Sequence, residues 1–341
     1  MHRLKLLLFA IGGFLVSGGI ARAHEAYVLP YDTFWGDLKQ PFNPEAFTAL
    51  KNPQNIHLTI TVILCVLAGL ALNFLFRRTV LGQKTNAFIE RFAHLGRHFI
   101  RITIAIALFF SAASNTFLGP ELHGSFFPYP RLIQIALFAI SIMIATGFLT
   151  ELAALASIAI YISSMFVFGP YVFTYLNYFG EFIVLLLFGM RVFSVDRYIF
   201  GPLRRLGSLK KYETVIVRIF YGFALIYAAI TVKLLHPELT VTVVNTWHLT
   251  KFHWLFPSDP LLITFGAGVV ETVIGLFIIF GFEMRLTVLV SLFYITLSLL
   301  YFRELVWPHL LLYGISFNLI VQPERFTLDH IFFRKKRISK P

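Results

Sequence analysis

Leu261 to Arg285 reads LLITFGAGVVETVIGLFIIFGFEMR, an apolar run long enough to cross a bilayer, with one carboxylate, Glu271, near its middle. An ionisable side chain at that depth costs on the order of 2.5–3.5 kcal/mol on insertion scales for Asp, so Glu271 should face protein, water or a ligand rather than lipid. Gly268, Glu271 and Gly275 fall at i, i+3 and i+7. That spacing sets the acid on a stripe of small residues where another helix can approach closely. Glu271 is therefore a functional candidate, and a buried structural acid satisfied by its neighbours is the alternative.

The remainder of the chain is of the same kind. Of 341 residues, 57% are hydrophobic and 13% charged, which excludes an ordinary soluble protein and points to a polytopic, all-α membrane protein in contact with the lipid bilayer. The net charge of +12 is concentrated in a few segments between apolar runs. A positive-inside distribution explains that pattern, and nucleic-acid binding does not. The single cysteine, Cys65, rules out an intrachain disulfide, a CxxC redox pair and a cysteine-rich zinc site. Any redox role would need a bound cofactor or a partner.

Residues 1–23 read as a secretory signal: His2, Arg3 and Lys5, then LLLFAIGGFLVSGGI, then Ala21-Arg22-Ala23 as a small-x-small cleavage box. An uncleaved anchor is the alternative. Cleavage would expose His24, whose amine and imidazole together are a minor copper-binding candidate. Residues 24–57 are mixed in polarity and are expected to form an irregular external segment that lies on the membrane surface or caps the bundle. Residues 58–76 form a first span closed by Arg77-Arg78, and 77–98 a basic amphipathic segment on the cytoplasmic surface.

Two copies of one unit follow. Arg101 opens an apolar run ending in Leu118-Gly119-Pro120-Glu121-Leu122, and Arg218 opens one ending in Leu235-His236-Pro237-Glu238-Leu239, 117 residues further on. Gly147-Phe148 and Gly281-Phe282 mark tight turns, and Phe193-Ser194-Val195-Asp196 is echoed by Phe326-Thr327-Leu328-Asp329. The copies occupy 99–197 and 215–330, joined by a basic cytoplasmic linker (198–214) and followed by a basic tail (331–341). Helices are expected at 99–118, 132–149, 152–169 and 177–193, then 215–235, 261–281, 286–301 and 307–322. With the first span this makes nine crossings. The mature N-terminus is then outside, and the C-terminus is cytoplasmic in a bacterial-type inner membrane, where both basic blocks also fall. The longest external loop, 236–260, holds His248 and His253. Their spacing of five fits neither a helical metal pair nor a zinc finger, so aromatic anchoring is preferred, no metal site is assigned and both remain minor candidates.

Several of these residues together resemble the DoxX-like family of four-helix membrane proteins. They are Arg218 and Gly222 in a first helix that ends on Lys233, Gly268, Glu271 and Gly275 in a second, Gly281 and Arg285 at the turn, and, in the other copy, Glu181 followed by Ser194 and Asp196. The family is similar to the DoxD small membrane subunit of thiosulfate:quinone oxidoreductase, which implies redox-enzyme partner subunits. The copies diverge: the first has no acid matching Glu271, and a separation of 128 sets Glu181 against His309. That divergence implies one specialised site in the second copy.

Three functions are open. In the first, the chain is a membrane subunit of a redox or quinone-linked complex, with Glu271, His309 and Lys233 lining a quinone or small-molecule pocket in the second unit and Glu181 as a further proton-relay candidate. In the second, the tandem repeats serve a transporter-like binding protein. In the third, the bundle is a structural assembly protein in which Lys233 and Glu271 form a buried ion pair. Walker-type glycine loops, His-Glu-x-x-His and a nucleophile elbow are absent from the sequence.

Overall fold

The computed structural model describes residues 29–189, 195–200, 209–251, 256–322 and 326–333. The expected signal segment, His24, Ser194, His253, residues 201–208 of the linker and the C-terminal basic cluster lie outside the described residues. In chain order the helices are α1 (Tyr31–Leu38), α2 (Pro53–Arg78), α3 (Val80–Glu90), α4 (Ala93–Ala113), α5 (Pro130–Thr146), α6 (Thr150–Phe168), α7 (Leu176–Phe188), α8 (Val195–Phe200), α9 (Glu213–Ala228), α10 (Pro237–Thr246), α11 (Pro260–Phe280), α12 (Met284–Tyr301), α13 (Leu310–Val321) and α14 (Leu328–Phe333). A small antiparallel hairpin pairs Thr116–Phe117 with Gly119–His123.

Six stretches among the described residues are long and apolar enough to cross a membrane: α2, α4, Thr150–Phe188, Glu213–Leu234, α11 and α12. Helix α5 and the stretch Trp307–Val321 are apolar but shorter. Thr150–Phe188 is not one rod. Gly169, at φ +65, and Pro170 break it, and a 3-10 turn over Gly169–Tyr175 lets α7 fold back along α6. The Tyr161 hydroxyl donates to the Val172 carbonyl at 2.8 Å, and its ring lies 4.9 Å from that of Phe179.

Three expectations need correction. The helix expected at 99–118 runs from Ala93 to Ala113, so Arg97 belongs to a long apolar helix rather than to the surface segment 77–98. Nothing between Phe92 and the apolar run breaks the helix, and the chain turns instead at Asn115 and Leu118, both at positive φ. Helix α7 stops at Phe188, short of 193, because Gly189 takes a positive φ. Residues 29–52 are not irregular: α1 and a 3-10 helix over Pro44–Lys51 cap the bundle. Phe34 is buried against Trp35 and Tyr171, Ala46 and Ala49 pack with Leu234, Leu262 and Phe265, and Asn43 donates its backbone N–H to the Leu235 carbonyl at 2.8 Å.

Nor are there two self-contained four-helix bundles. Helix α4 packs on α5 and on α13, the last helix of the other expected unit, while α9 packs on α11 and on α7. Glycines permit these crossings by removing the side chain at the contact. A Cβ on Gly314 would run into Thr103, one on Gly180 into Phe220, and Gly222 and Gly275 face each other's backbone across α9 and α11. The stripe of small residues on α11 thus meets its neighbour as the spacing predicts.

At the end away from the cap, the α5–α6 and α11–α12 turns are built alike. Gly147 (φ 68) and Leu149 (φ 46) correspond in conformation to Gly281 (φ 65) and Glu283 (φ 44). The Asp196 carboxylate accepts from the N–H groups of Leu149 (2.7 Å) and Thr150 (3.1 Å), and Asp329 accepts from those of Glu283 (2.7 Å) and Met284 (2.9 Å). Each aspartate satisfies orphan amides and complements the positive end of the helix it caps. Arg218 donates to the Phe326 carbonyl at 2.7 Å, and Arg285 reaches Ile320 and, from α3, Glu90, both at 3.0 Å.

Helix α2 is held by its ends. Near the cap, Asn55 donates to Asp259 at 2.7 Å; at the other end Asn73 (2.5 Å) and Arg77 (3.1 Å) donate to Glu283, and Arg77 to Asp329 at 2.8 Å. The apolar side chains between these points, among them Ile63, Leu64 and Leu67, are exposed to the bilayer. Burial pushes the Glu283 carboxyl up, against the pull of Arg77. Arg77→Gln would leave Glu283 and Asp329 buried without their shared cation. A loss of about 3–5 kcal/mol is expected, read as a lowered melting temperature in detergent, whereas exposed Arg78→Gln should change it little.

Candidate functional site

The predicted site residues fall into three separate groups. Lys233 and Glu271 do meet. The helix begun by α9 widens into a π turn over Ala229–Leu234, and this brings Lys233 Nζ to 3.2 Å from Glu271 Oε2. Gly268 assists, since any side chain there would strike Leu234 and the Cβ of Lys233. Lys233 is buried, while the Glu271 side chain keeps 34% of its surface exposed. The pair is consistent with charge neutralisation inside an apolar bundle.

Glu181 lies elsewhere. It projects from α7 with no exposed surface, and its nearest cation is Arg97 of α4, whose Nη1 lies 3.7 Å from Oε2. Arg97 also contacts Glu213, at the first position of α9. One arginine therefore stands between two carboxylates from two helices.

His309 forms the third group. It sits in the 3-10 turn ahead of α13, with Nε2 2.7 Å from Glu304 Oε2 and Nδ1 3.0 Å from the Leu305 carbonyl. Both ring nitrogens face acceptors. The Nδ1–H donates to the carbonyl, whereas Nε2 stands in close contact with Glu304 Oε2, an oxygen that has no aligned hydrogen-bond donor among the described residues. Ser298 donates to the other Glu304 oxygen.

His309 opens onto a narrow crevice of about 70 Å³ between the two expected units. Tyr171, Tyr175 and Tyr178 line one side, and Tyr221, Pro308 and His309 the other. Tyr171 (3.1 Å) and Tyr175 (2.6 Å) donate to Glu121 Oε1, and Tyr178 donates to the Pro308 carbonyl at 3.4 Å. Tyr221 shares a hydrogen bond with Ser291 at 3.1 Å. This corrects the expectation of a pocket inside the second unit lined by Glu271, His309 and Lys233. Of the predicted residues only His309 lines the crevice, whose walls come from both units because α4 and α9 each pack across to the other unit's last helix. A larger hollow of about 400 Å³ lies beside α2, walled by Leu70, Phe74, Leu75 and Phe282.

Among the described residues no three His, Cys, Asp or Glu side chains gather as metal ligands. His248 is exposed, and His24 and His253 lie outside the described residues. Sequence reasoning missed Glu304, Arg97 and Glu213. Glu304 sits in a short connection read only as external, and Arg97 would have been found by following the helix back from Arg101 to Ala93 without a breaker.

The long apolar helices and the ion pairs buried among them define an integral membrane protein. Comparison with known proteins gives no match to a family model, a curated protein or a solved structure. The DoxX-like resemblance accordingly rests on the quoted residues alone.

If Lys233 and Glu271 form a functioning pair, removing one strands the other, so Lys233→Gln should destabilise more than Lys233→Gln with Glu271→Gln. The cycle should show a coupling of roughly 0.5–3 kcal/mol, read from melting curves in detergent; strictly additive losses would count against the pair.

Proposed function

We propose that this chain is a nine-span inner-membrane subunit of a redox or quinone-linked complex, DoxX-like in kind, which acts through the crevice between two parallel four-helix repeats. The nine crossings are α2, then α4 to α7, then α9, α11, α12 and α13. Two parallel repeats are supported by recurring details. The turn glycines Gly147 and Gly281 are 134 positions apart, as are Leu149 and Glu283, and the capping aspartates Asp196 and Asp329 are 133 apart. The contact of Gly180 with Phe220 is echoed by that of Gly314 with Thr103, at offsets of 134 and 117. On this register Tyr175, rather than Glu181, is the counterpart of His309. Tyr175 and His309 both line the crevice, each in contact with a buried glutamate.

One observation carries the functional reading: an imidazole held 2.7 Å from the buried Glu304 carboxyl and facing a slot lined by tyrosines. A quinone needs an apolar slot with groups that can hydrogen-bond its oxygens and pass protons, and these residues have that chemistry. At about 70 Å³ the crevice is far smaller than the few hundred Å³ of a ligand site, so a ring enters only when the repeats part there. Protein purified from native membranes in mild detergent should carry extractable quinone, identified by its absorbance. His309→Ala and Glu304→Gln should lose most of it and Glu271→Gln should retain it; equal quinone in all four proteins would rule out the crevice.

The Lys233–Glu271 pair favours a second reading, a structural assembly protein without its own chemistry. A double neutralisation that preserved both complex formation and activity would support a purely structural role for that pair.

The cap end is assigned to the outside and the end bearing Arg77, Arg78 and Lys84 to the cytoplasm. Cys65 is the only cysteine, which makes this simple to test. In a Cys65→Ser background, Gln40→Cys in intact cells should react with an impermeant maleimide, and Gln83→Cys should react only after permeabilisation. The reverse pattern would invert the topology.

A further inference from the structure

Glu181 has no exposed surface, and neither of its carboxylate oxygens has a hydrogen-bond partner among the described residues. A second Arg97 nitrogen, Nη2, is likewise buried without a partner. Buried polar groups are nearly always satisfied, and an acid enclosed by apolar helices keeps its charge only if paired. At 3.7 Å the Arg97 contact is too long for a hydrogen bond, so the site suits a carboxyl that is neutral for part of its cycle and anionic, beside the guanidinium, for the rest.

What lies on either side of Glu181 gives this a direction. Toward the end away from the cap, Arg97 touches Glu213, at the start of α9. Toward the cap, Tyr178 precedes Glu181 by three residues on α7, a rise of about 4.5 Å, and Tyr175 ends the 3-10 turn three residues before that. The rings of Tyr175 and Tyr178 are 6.2 Å apart, and Tyr175 donates to the buried Glu121. A row of proton-bearing groups, Glu213, Glu181, Tyr178, Tyr175 and Glu121, thus runs the length of the bundle with Arg97 beside its inner half.

We propose that this row is a proton path and that Glu181 is its relay. A proton taken from Glu213 neutralises Glu181. The acid then releases it through water to the Tyr178 oxygen as the Tyr178 hydroxyl, turned from the Pro308 carbonyl, passes its own proton through water toward Tyr175 and Glu121. Every release leaves a Glu181 carboxylate that Arg97 neutralises until the next proton arrives from Glu213. The charged group in contact with Glu181 is Arg97 from α4, which also holds Glu213 from α9, and Tyr178 is three residues toward the cap on the same helix. The guanidinium also repels protons, which makes the path slow rather than an open leak. This function needs no bound quinone, although Tyr175 and Tyr178 also line the crevice.

Full-length protein in liposomes, with an entrapped pH dye and a potassium diffusion potential set by valinomycin, tests it. Wild type should move protons faster than empty vesicles, and Glu181→Gln should slow the added flux roughly 10²-fold, the scale of a positioned acid–base group. Glu181→Asp should restore part of that flux, and the exposed Glu45→Gln should leave it unchanged. Monodisperse elution and an unaltered helical circular-dichroism spectrum would show that Glu181→Gln is folded. Wild-type flux equal to that of empty vesicles would overturn the proposal, as would a folded Glu181→Gln that conducts like wild type.

Discussion

Asp329 holds the second half of the molecule together. Its carboxylate caps α12 through the amides of Glu283 and Met284, and its own N–H returns to the Gly281 carbonyl, so the α11–α12 turn closes on a single residue. The same carboxylate receives Arg77, and through Arg77 the C-terminal end of α2 is tied to a turn about 200 residues away in sequence. An anion at a helix N-terminus satisfies amides that lipid cannot satisfy, and one arginine shared by two buried acids spares either from standing alone. Asp196 performs the capping half of this task at the α5–α6 turn, where its side chain meets Leu149 and Thr150.

With the turns fixed, glycines decide which helices touch. Gly222 against Gly275 brings α9 onto α11, Gly314 brings α13 onto α4, and Gly180 brings α7 onto α9. Because α4 and α9 each pack on the last helix contributed by the other half, the polar residues of α7 and α13 are brought to a common seam. That seam is where tyrosines from one half meet His309 from the other. The Lys233–Glu271 pair, by contrast, is a local matter of one helix pair, made possible by the π turn and by Gly268.

Much of this was legible in the chain. Runs of apolar residues bounded by Gly, Pro and Arg gave the helices, mostly to within a few positions, and Gly147-Phe148 and Gly281-Phe282 gave the tight turns. The spacing of Gly268, Glu271 and Gly275 gave the close face of α11, and the Lys233–Glu271 contact is the one that the structural-assembly alternative expects, not the pocket with His309 of the first reading. The start of α4 was misplaced because Arg97 and His98 resemble a surface segment when read by composition, whereas the helix continues through them. Glu304 was passed over because nothing in the five residues 302–306 announces that it is buried against an imidazole.

The sequence by itself determined that this is a helical membrane protein, where its helices run and which of them carry charge. Hydropathy and helix-breaking residues act over a single helix or turn, so they can be read locally. Only the tertiary structure decided which charge answers which. It set Glu181 against Arg97, His309 against Glu304, and Arg77 against Glu283 and Asp329, and it moved the candidate site from inside the second half to the seam between halves. Those partners depend on the rotation and crossing of helices far apart in sequence. That geometry comes from glycine contacts and capped turns acting together, which no single segment specifies.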